Sequence, residues 1–111
     1  MNTEQIMDAI TYAIVMKGAR TVLVVMENEN AALLMKDRLP AAPTYAGVRT
    51  AGVGKSLAGS RFDHIIFAIP REIPRGDPSA KSEGARKHRA SYIEMLHMKL
   101  MPEGAMVWLA G

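Results

Sequence analysis

The sequence contains no cysteine, which excludes disulfide bonds and thiolate chemistry. No apolar run approaches the roughly 18 residues that cross a bilayer, so we expect no membrane contact. The first residues include Glu4 and no base, unlike a signal peptide, and this favours a cytoplasmic location. Aromatic residues are few, and nine methionines against two phenylalanines predict a core with many flexible side chains.

What is present indicates one folded domain over residues 1–111, because 49% of the residues are hydrophobic and 23% are charged. The central feature is the uncharged, apolar run from Ile65 to Ile69, which Pro70 ends. A strand without a polar face is covered on both sides, as in a parallel sheet between helices. We therefore predict a three-layer α/β/α sandwich with a small, mostly parallel sheet of about four strands.

The remaining elements follow from apolar periodicity and capping signals. Asn2 and Gln5 form a capping-box pattern at the start of the first helix, and Asn30 or Asn28 caps the second. In chain order we predict a helix over residues 2–18, a strand over 21–26, a helix over 31–39, a short strand over 48–53, the central strand, a helix from 77 or 82 to 100, a turn over 102–104 and a strand over 105–110.

The segment Gly52-Val53-Gly54-Lys55-Ser56 is similar to the end of a phosphate-binding P-loop. Arg49 stands where the full pattern requires glycine, and residues 57–62 leave no room for the helix that a P-loop opens. We interpret the segment as a flexible basic turn. The nearest acid after the central strand is Glu72, beyond a proline, which argues against metal-assisted phosphoryl transfer. We predict no catalytic residue and no cofactor.

The three histidines lack the spacing of metal ligands, so we predict solvated or capping roles for them and no metal site: His64, His88 and His97. Glu27 and Asn28 follow a predicted strand, where α/β sheets bind ligands, and with Arg71 they define a candidate crevice. Glu27 and Glu29 also suit the start of a helix, where acids are favourable without any ligand.

Basic residues concentrate between positions 71 and 89, where six bases against three acids account for the whole net charge of +3. Such a segment is a candidate contact for nucleic-acid phosphates, although a basic helix face is often only solvated. The candidate residues are Arg71, Arg75, Lys81, Arg86, Lys87 and Arg89.

These patterns together resemble part of the RecA-like P-loop ATPase domain of phage terminase large subunits and superfamily 2 helicases. The phrase from Leu57 through Gly59 to Asp63 resembles the one that leads into the Walker B strand of that family. Residues 2–28 resemble the helix, strand and turn after its P-loop. Residues 82–111 resemble its long basic helix, turn and next strand.

The resemblance implies a degenerate, non-hydrolysing relative of phage or mobile-element origin. The family's P-loop strand would precede Met1, and its Walker B acids would fall where Ala68 to Arg71 stand. It also implies that the last strand is an open edge, with an apolar interface at Met106, Val107, Trp108 and Leu109. The alternative is that the N-terminal helix covers this strand.

Three functions follow as hypotheses. The first is a non-catalytic interaction protein that acts through protein contacts, as a homodimer or with a partner protein, and also through DNA. The second is a nucleic-acid-binding accessory module that uses the basic segment. The third is a nucleotide-binding or nucleotide-hydrolysing enzyme that uses the candidate crevice.

Overall fold

A computed structural model describes residues 2–69 and 83–109 of the chain, with the backbone alone for residues 83–85. The elements are α1 (Thr3–Val15), β1 (Val22–Met26), α2 (Glu29–Arg38), a short 3-10 helix (Pro43–Tyr45), β2 (Val48–Gly52), β3 (Phe62–Phe67), α3 (Glu83–Lys99) and β4 (Leu100–Trp108). The predicted helix start at Asp77 and the basic residues Arg71, Arg75 and Lys81 lie outside the described residues.

The four strands form one sheet in the order β2-β1-β3-β4, and all neighbouring pairs are parallel. This confirms the α/β class and the three layers, with a sheet that is wholly parallel where we expected a mostly parallel one. The two central strands are the apolar runs that the sequence indicated. Val22 to Val25 and Ile65 to Phe67 are buried because helices cover both faces of the sheet.

Alternate residues of the strands point to two separate cores. On one face, Ile6 and Ile10 of α1 and Met35 of α2 pack against Val24 and Ile66. On the other face, Tyr92 and Leu96 of α3 and Leu57 of the β2–β3 connection pack against Leu23, Ile65 and Phe67. The helices are thus divided between the faces, with α1 and α2 on one side and α3 on the other.

The predicted capping signals are present at both N-terminal helices. Asn2 and Gln5 form the reciprocal capping box of α1. The cap of α2 is Asn28, whose Oδ1 accepts from the Ala31 N–H at 2.8 Å, so Asn30 was the wrong choice of the two. Gly18 has a φ of +67° just after α1, as the predicted terminator requires.

The largest departure from the predicted elements is at β4, which begins at Leu100 rather than near residue 105. Leu100 pairs with Phe62, while Ala105 pairs with His64, so residues 101–104 bulge opposite Asp63 alone. Glu103 takes a φ of +66° within this bulge. The predicted turn is therefore real, but it interrupts a strand instead of preceding one.

Candidate functional site

The carboxyl end of the sheet brings together residues from three elements. The chain leaves β1 towards β2 on one side, and β3 lies on the other side of β1. The carboxyl ends of β1 and β3 thus border a topological switch point, where open parallel sheets form a ligand crevice. Glu27 and Asn28 follow β1 at this point, as the sequence predicted, whereas Arg71 lies outside the described residues.

Gly52 brings the end of β2 against the start of α2. A Cβ on Gly52 would lie 2.3 Å from the Asn28 carbonyl carbon and 2.4 Å from the Glu29 nitrogen, so only glycine fits there. The Gly52 N–H donates to Glu29 Oε1 at 2.7 Å, and Lys55 Nζ lies 3.1 Å from Glu29 Oε2. The Gly52 bond, followed by Lys55, holds the pKa of Glu29 below its ordinary value against the opposing effect of burial.

The P-loop-like segment has no helix after it. Residues 53–61 form turns and irregular backbone before β3 begins at Phe62, as the sequence predicted. Lys55 is held by Glu29 beside α2.

The early turns of α3 lie beside the end of β2. His88 is exposed, and its Nε2 lies 2.8 Å from the position that a Cβ on Gly54 would take. Arg89 and Tyr92 follow on the face turned towards the sheet, and Tyr92 is only 6% exposed. Burial raises the pKa of Tyr92 to about 12, with a smaller contribution from the charge of Glu29.

Arg89 was predicted as one of a set of nucleic-acid contacts, and its burial differs from that of Arg86 and Lys87, the other members that the structure describes. Arg86 and Lys87 are exposed, whereas Arg89 is half-buried, and burial lowers its pKa against the raising effect of Glu27. The signal that would have found this is helical spacing, because Arg89, Tyr92 and Leu96 recur at the interval of one helix face.

β4 lies at one edge of the sheet, in the position predicted for the last strand. None of its nine residues is buried, and Val107 is 37% exposed. Met106 and Trp108 pack in part against the core under α3, and the Trp108 ring stacks on Phe67 with ring centroids 4.2 Å apart. Among the described residues, β4 pairs only with β3. α1 packs over β1 and β3, and Leu109 packs in part against the core on that face.

The opposite edge, β2, is protected by polar groups. The Gly52 N–H is taken by Glu29, Thr50 Oγ1 donates to the Ala32 carbonyl at 2.8 Å, and Arg49 places a charge on the strand. Such groups discourage edge pairing. The segment from Gly104 to Leu109 of the other edge carries no charge at all.

A polar cavity lies at the amino end of the sheet, which sequence reasoning did not indicate. It has a volume of about 680 Å³ and is lined in part by Lys17, Arg20, Arg61, Asp63 and His64. Asp63 is engaged, since its Oδ2 accepts from the N–H groups of Arg20 and Thr21 at 2.9 and 3.2 Å.

His64 is 4% exposed, so its predicted solvated or capping role was wrong. Residue 64 lies in the β3 run whose neighbours are covered on both faces, and the side chain is buried with them. His97, by contrast, is exposed near the end of α3. Burial, followed by the charge of Lys17, lowers the pKa of His64, which favours the neutral imidazole.

Within residues 2–69 and 86–109, no three His, Asp or Glu side chains are grouped to hold a metal ion. No helix in the described ranges is long and apolar enough to cross a membrane. The chain matches no known protein family and no curated protein.

Proposed function

We propose that this protein is a non-catalytic α/β interaction module that forms a homodimer by pairing β4 with β4 of a second copy. The observation that carries the proposal is an edge strand with no buried residue, whose segment from Gly104 to Trp108 is uncharged, next to the buried strand β3. Exposed edge strands with no charge, proline or covering element readily pair with other strands. In the half of β4 from Gly104 onwards the sequence contains no charge and no proline.

Backbone geometry supports pairing at this strand. The Leu109 N–H donates to the Phe67 carbonyl at 3.1 Å. In a parallel pair, every second residue of a strand directs its backbone N–H and carbonyl towards the neighbouring strand, so this bond shows which residues of β4 face β3. Val107 and Leu109 therefore direct their backbone groups towards β3. Met106, between Ala105 and Val107, directs its N–H and carbonyl away from β3. Those groups are placed to continue the sheet.

The absence of charge favours a second copy of this chain as the occupant. Two copies related by a two-fold axis would place identical strands side by side and antiparallel, so the same segment of both chains meets around the axis and any charge in it would lie near its own copy. Like charges opposite one another would oppose such pairing. Residues 104–109 contain none. The edge at β2 carries Arg49, which would approach its own copy if that edge paired instead.

We further propose that the fold is a degenerate RecA-like ATPase core of phage or mobile-element origin. In the resembled family, the strand next to the one corresponding to β4 is the P-loop strand, and among the described residues β4 has no such neighbour. The edge position of β4 is what that correspondence requires. The interaction surface would thus occupy the place that the P-loop strand takes in that family.

The proposal is tested by measuring molar mass with light scattering after size-exclusion chromatography. We expect twice the chain mass of 12.1 kDa at tens of micromolar. Met106→Pro removes an outward N–H without removing a bond to β3, so it should give a folded monomer. Met106→Ala keeps the N–H and is the matched control, which should remain dimeric. A wild-type monomer, or a dimeric Met106→Pro variant, would contradict the proposal.

Nucleic-acid binding is a second candidate, supported by the exposed neighbours Arg86 and Lys87 on α3. Phosphate contacts of this kind weaken steeply as salt increases. A gel shift with duplex and single-stranded DNA at low salt tests it, with the charge-removing double variant Arg86→Gln, Lys87→Gln as comparison. Absence of a shift at low salt, or an equal shift for the double variant, would remove this candidate.

A further inference from the structure

The described part of the chain leaves three buried side-chain polar atoms without a hydrogen-bond partner, and all three lie within one turn of α3. They are Arg89 Nε, Arg89 Nη2 and the Tyr92 hydroxyl oxygen. Buried polar groups in folded proteins are paired in the great majority of cases, so each exception needs a physical reason. Three exceptions at one place point to a partner that this part of α3 is built to receive.

The two unpaired nitrogens of Arg89 form one edge of the guanidinium group. The Nε–H and the neighbouring Nη2–H point in the same direction, which is the arrangement that binds two oxygens of an oxyanion at once. The Tyr92 hydroxyl supplies a further donor from the next turn of the helix. A carboxylate offers two oxygens to such a set, whereas a phosphate group offers three or more.

The surroundings favour an anion. α2, ten residues long, begins at the same end of the sheet, and its N-terminus carries a partial positive charge. His88 lies against Gly54, next to Lys55 on the β2 side of the crevice. The amino-end cavity is less suited to an anion. The carboxyl ends of α1 and α3 lie there, and their partial negative charge offsets the positive potential of the basic side chains that line the cavity.

Two acids stand near the site and have to be accounted for. Glu29 already accepts a hydrogen bond from the Gly52 N–H and forms an ion pair with Lys55, so its negative charge is largely compensated. Glu27 is exposed and acts on Arg89 electrostatically, but no ion pair joins the two side chains. Glu27 is therefore the internal competitor for Arg89, and its removal should strengthen the binding of an anion.

We propose that Arg89 and Tyr92 form a binding site for the phosphate group of a small phosphorylated molecule at the carboxyl end of the sheet. Arg89 binds two phosphate oxygens through Nε–H and Nη2–H, and Tyr92 donates its hydroxyl to a third. This site is separate from β4, so its failure would leave the homodimer proposal standing, and the reverse also holds.

The test is a titration with inorganic phosphate at constant ionic strength, balanced with sodium chloride and followed by thermal unfolding and by the Arg89 Nε–H signal in NMR spectra. At about ten times its dissociation constant, phosphate should raise Tm by roughly 5 °C. Arg89→Met keeps the apolar stem and should weaken binding roughly tenfold or more. Arg86→Met is the matched control, one helical turn away and exposed, and should bind as the wild type does.

Two further variants separate the contributions. Tyr92→Phe removes only the hydroxyl and should weaken phosphate binding several-fold, whereas Tyr12→Phe, at a half-exposed position on α1, should not. Glu27→Gln should strengthen binding. Because Arg89 is unpaired in the free protein, Arg89→Met should also have an unchanged or higher Tm without phosphate.

Three outcomes would overturn the proposal. One is an equal response of wild type and Arg89→Met to phosphate. Another is an equal response of the wild type to acetate and phosphate, which would exclude a phosphate-specific site. The last is a lower Tm of Arg89→Met than of the wild type that neither phosphate nor the added change Glu27→Gln restores. This would show that Arg89 has a structural partner in the free protein.

Discussion

Replacing Gly52 by alanine should destabilise the protein strongly, because two backbones meet at that point. The new Cβ would lie 2.3 Å from the Asn28 carbonyl carbon, so β2 and the start of α2 must separate by more than about 1 Å to reach ordinary contact. Overpacking of this kind costs about 1–3 kcal/mol. The separation also breaks the bond from the Gly52 N–H to Glu29, which adds about 1.5 kcal/mol since Glu29 is half-exposed.

The expected loss is therefore roughly 2.5–4.5 kcal/mol of unfolding free energy, which for a domain of this size lowers Tm by roughly 10–20 °C. Urea and thermal unfolding, followed by circular dichroism, measure both quantities. Gly18→Ala is the control: Gly18 has a φ of +67° but no atom near its Cβ position, so only backbone strain of about 1 kcal/mol remains. If Gly52→Ala were no less stable than Gly18→Ala, the close approach of β2 and α2 would be refuted.

Two predictions concern pH. Because the Gly52 N–H and Lys55 hold the pKa of Glu29 low, its contribution to stability is present above the ordinary carboxyl pKa and is lost as the pH falls through the lowered value. In urea unfolding across the acid range, the unfolding free energy of Glu29→Gln should fall less steeply with decreasing pH than that of the wild type. An equal slope in the two proteins would contradict this role of Glu29. Burial lowers the pKa of His64, so the unfolded chain takes a proton first, and stability should decline as the pH falls below the ordinary imidazole value of 6.5. His64→Leu should remove that decline between pH 7.5 and the lowered folded pKa, and identical slopes in the two proteins would show that other groups cause it.

The layers of the fold could be predicted because local sequence determines them. The apolar runs of β1 and β3 have no polar face, so only a sheet covered on both sides accommodates them. The capping box of Asn2 and Gln5 is likewise complete within four residues.

The choice between Asn28 and Asn30 shows where local signals end. Both residues suit a helix cap, and the decision comes from Gly52, whose backbone packs against the Asn28–Glu29 peptide and holds the start of α2 there. The start of β4 at Leu100 has the same origin, because its partner Phe62 is remote in sequence while the turn residues around Pro102 are local. Contacts between distant segments set both boundaries.

The candidate site was predicted only in part. The position of Glu27 and Asn28 followed from the rule that parallel sheets bind ligands at their carboxyl ends. Asn28 proved to be occupied as a helix cap. The inward position of Arg89 was missed, because its basic neighbours suggested a solvated surface while its spacing to Tyr92 and Leu96 placed it on the buried face.

Pairing of β4 with a second copy is tested most directly by hydrogen exchange at the Met106 amide, measured by NMR at a concentration where the dimer should form. The neighbouring Val107 N–H, which the ladder directs towards β3, is the internal standard for a protected amide. We predict that Met106 exchanges as slowly as Val107 and becomes faster on dilution. Fast exchange at Met106 at every concentration, beside a slow Val107, would show that β4 is an unpaired edge and would contradict the proposed interaction.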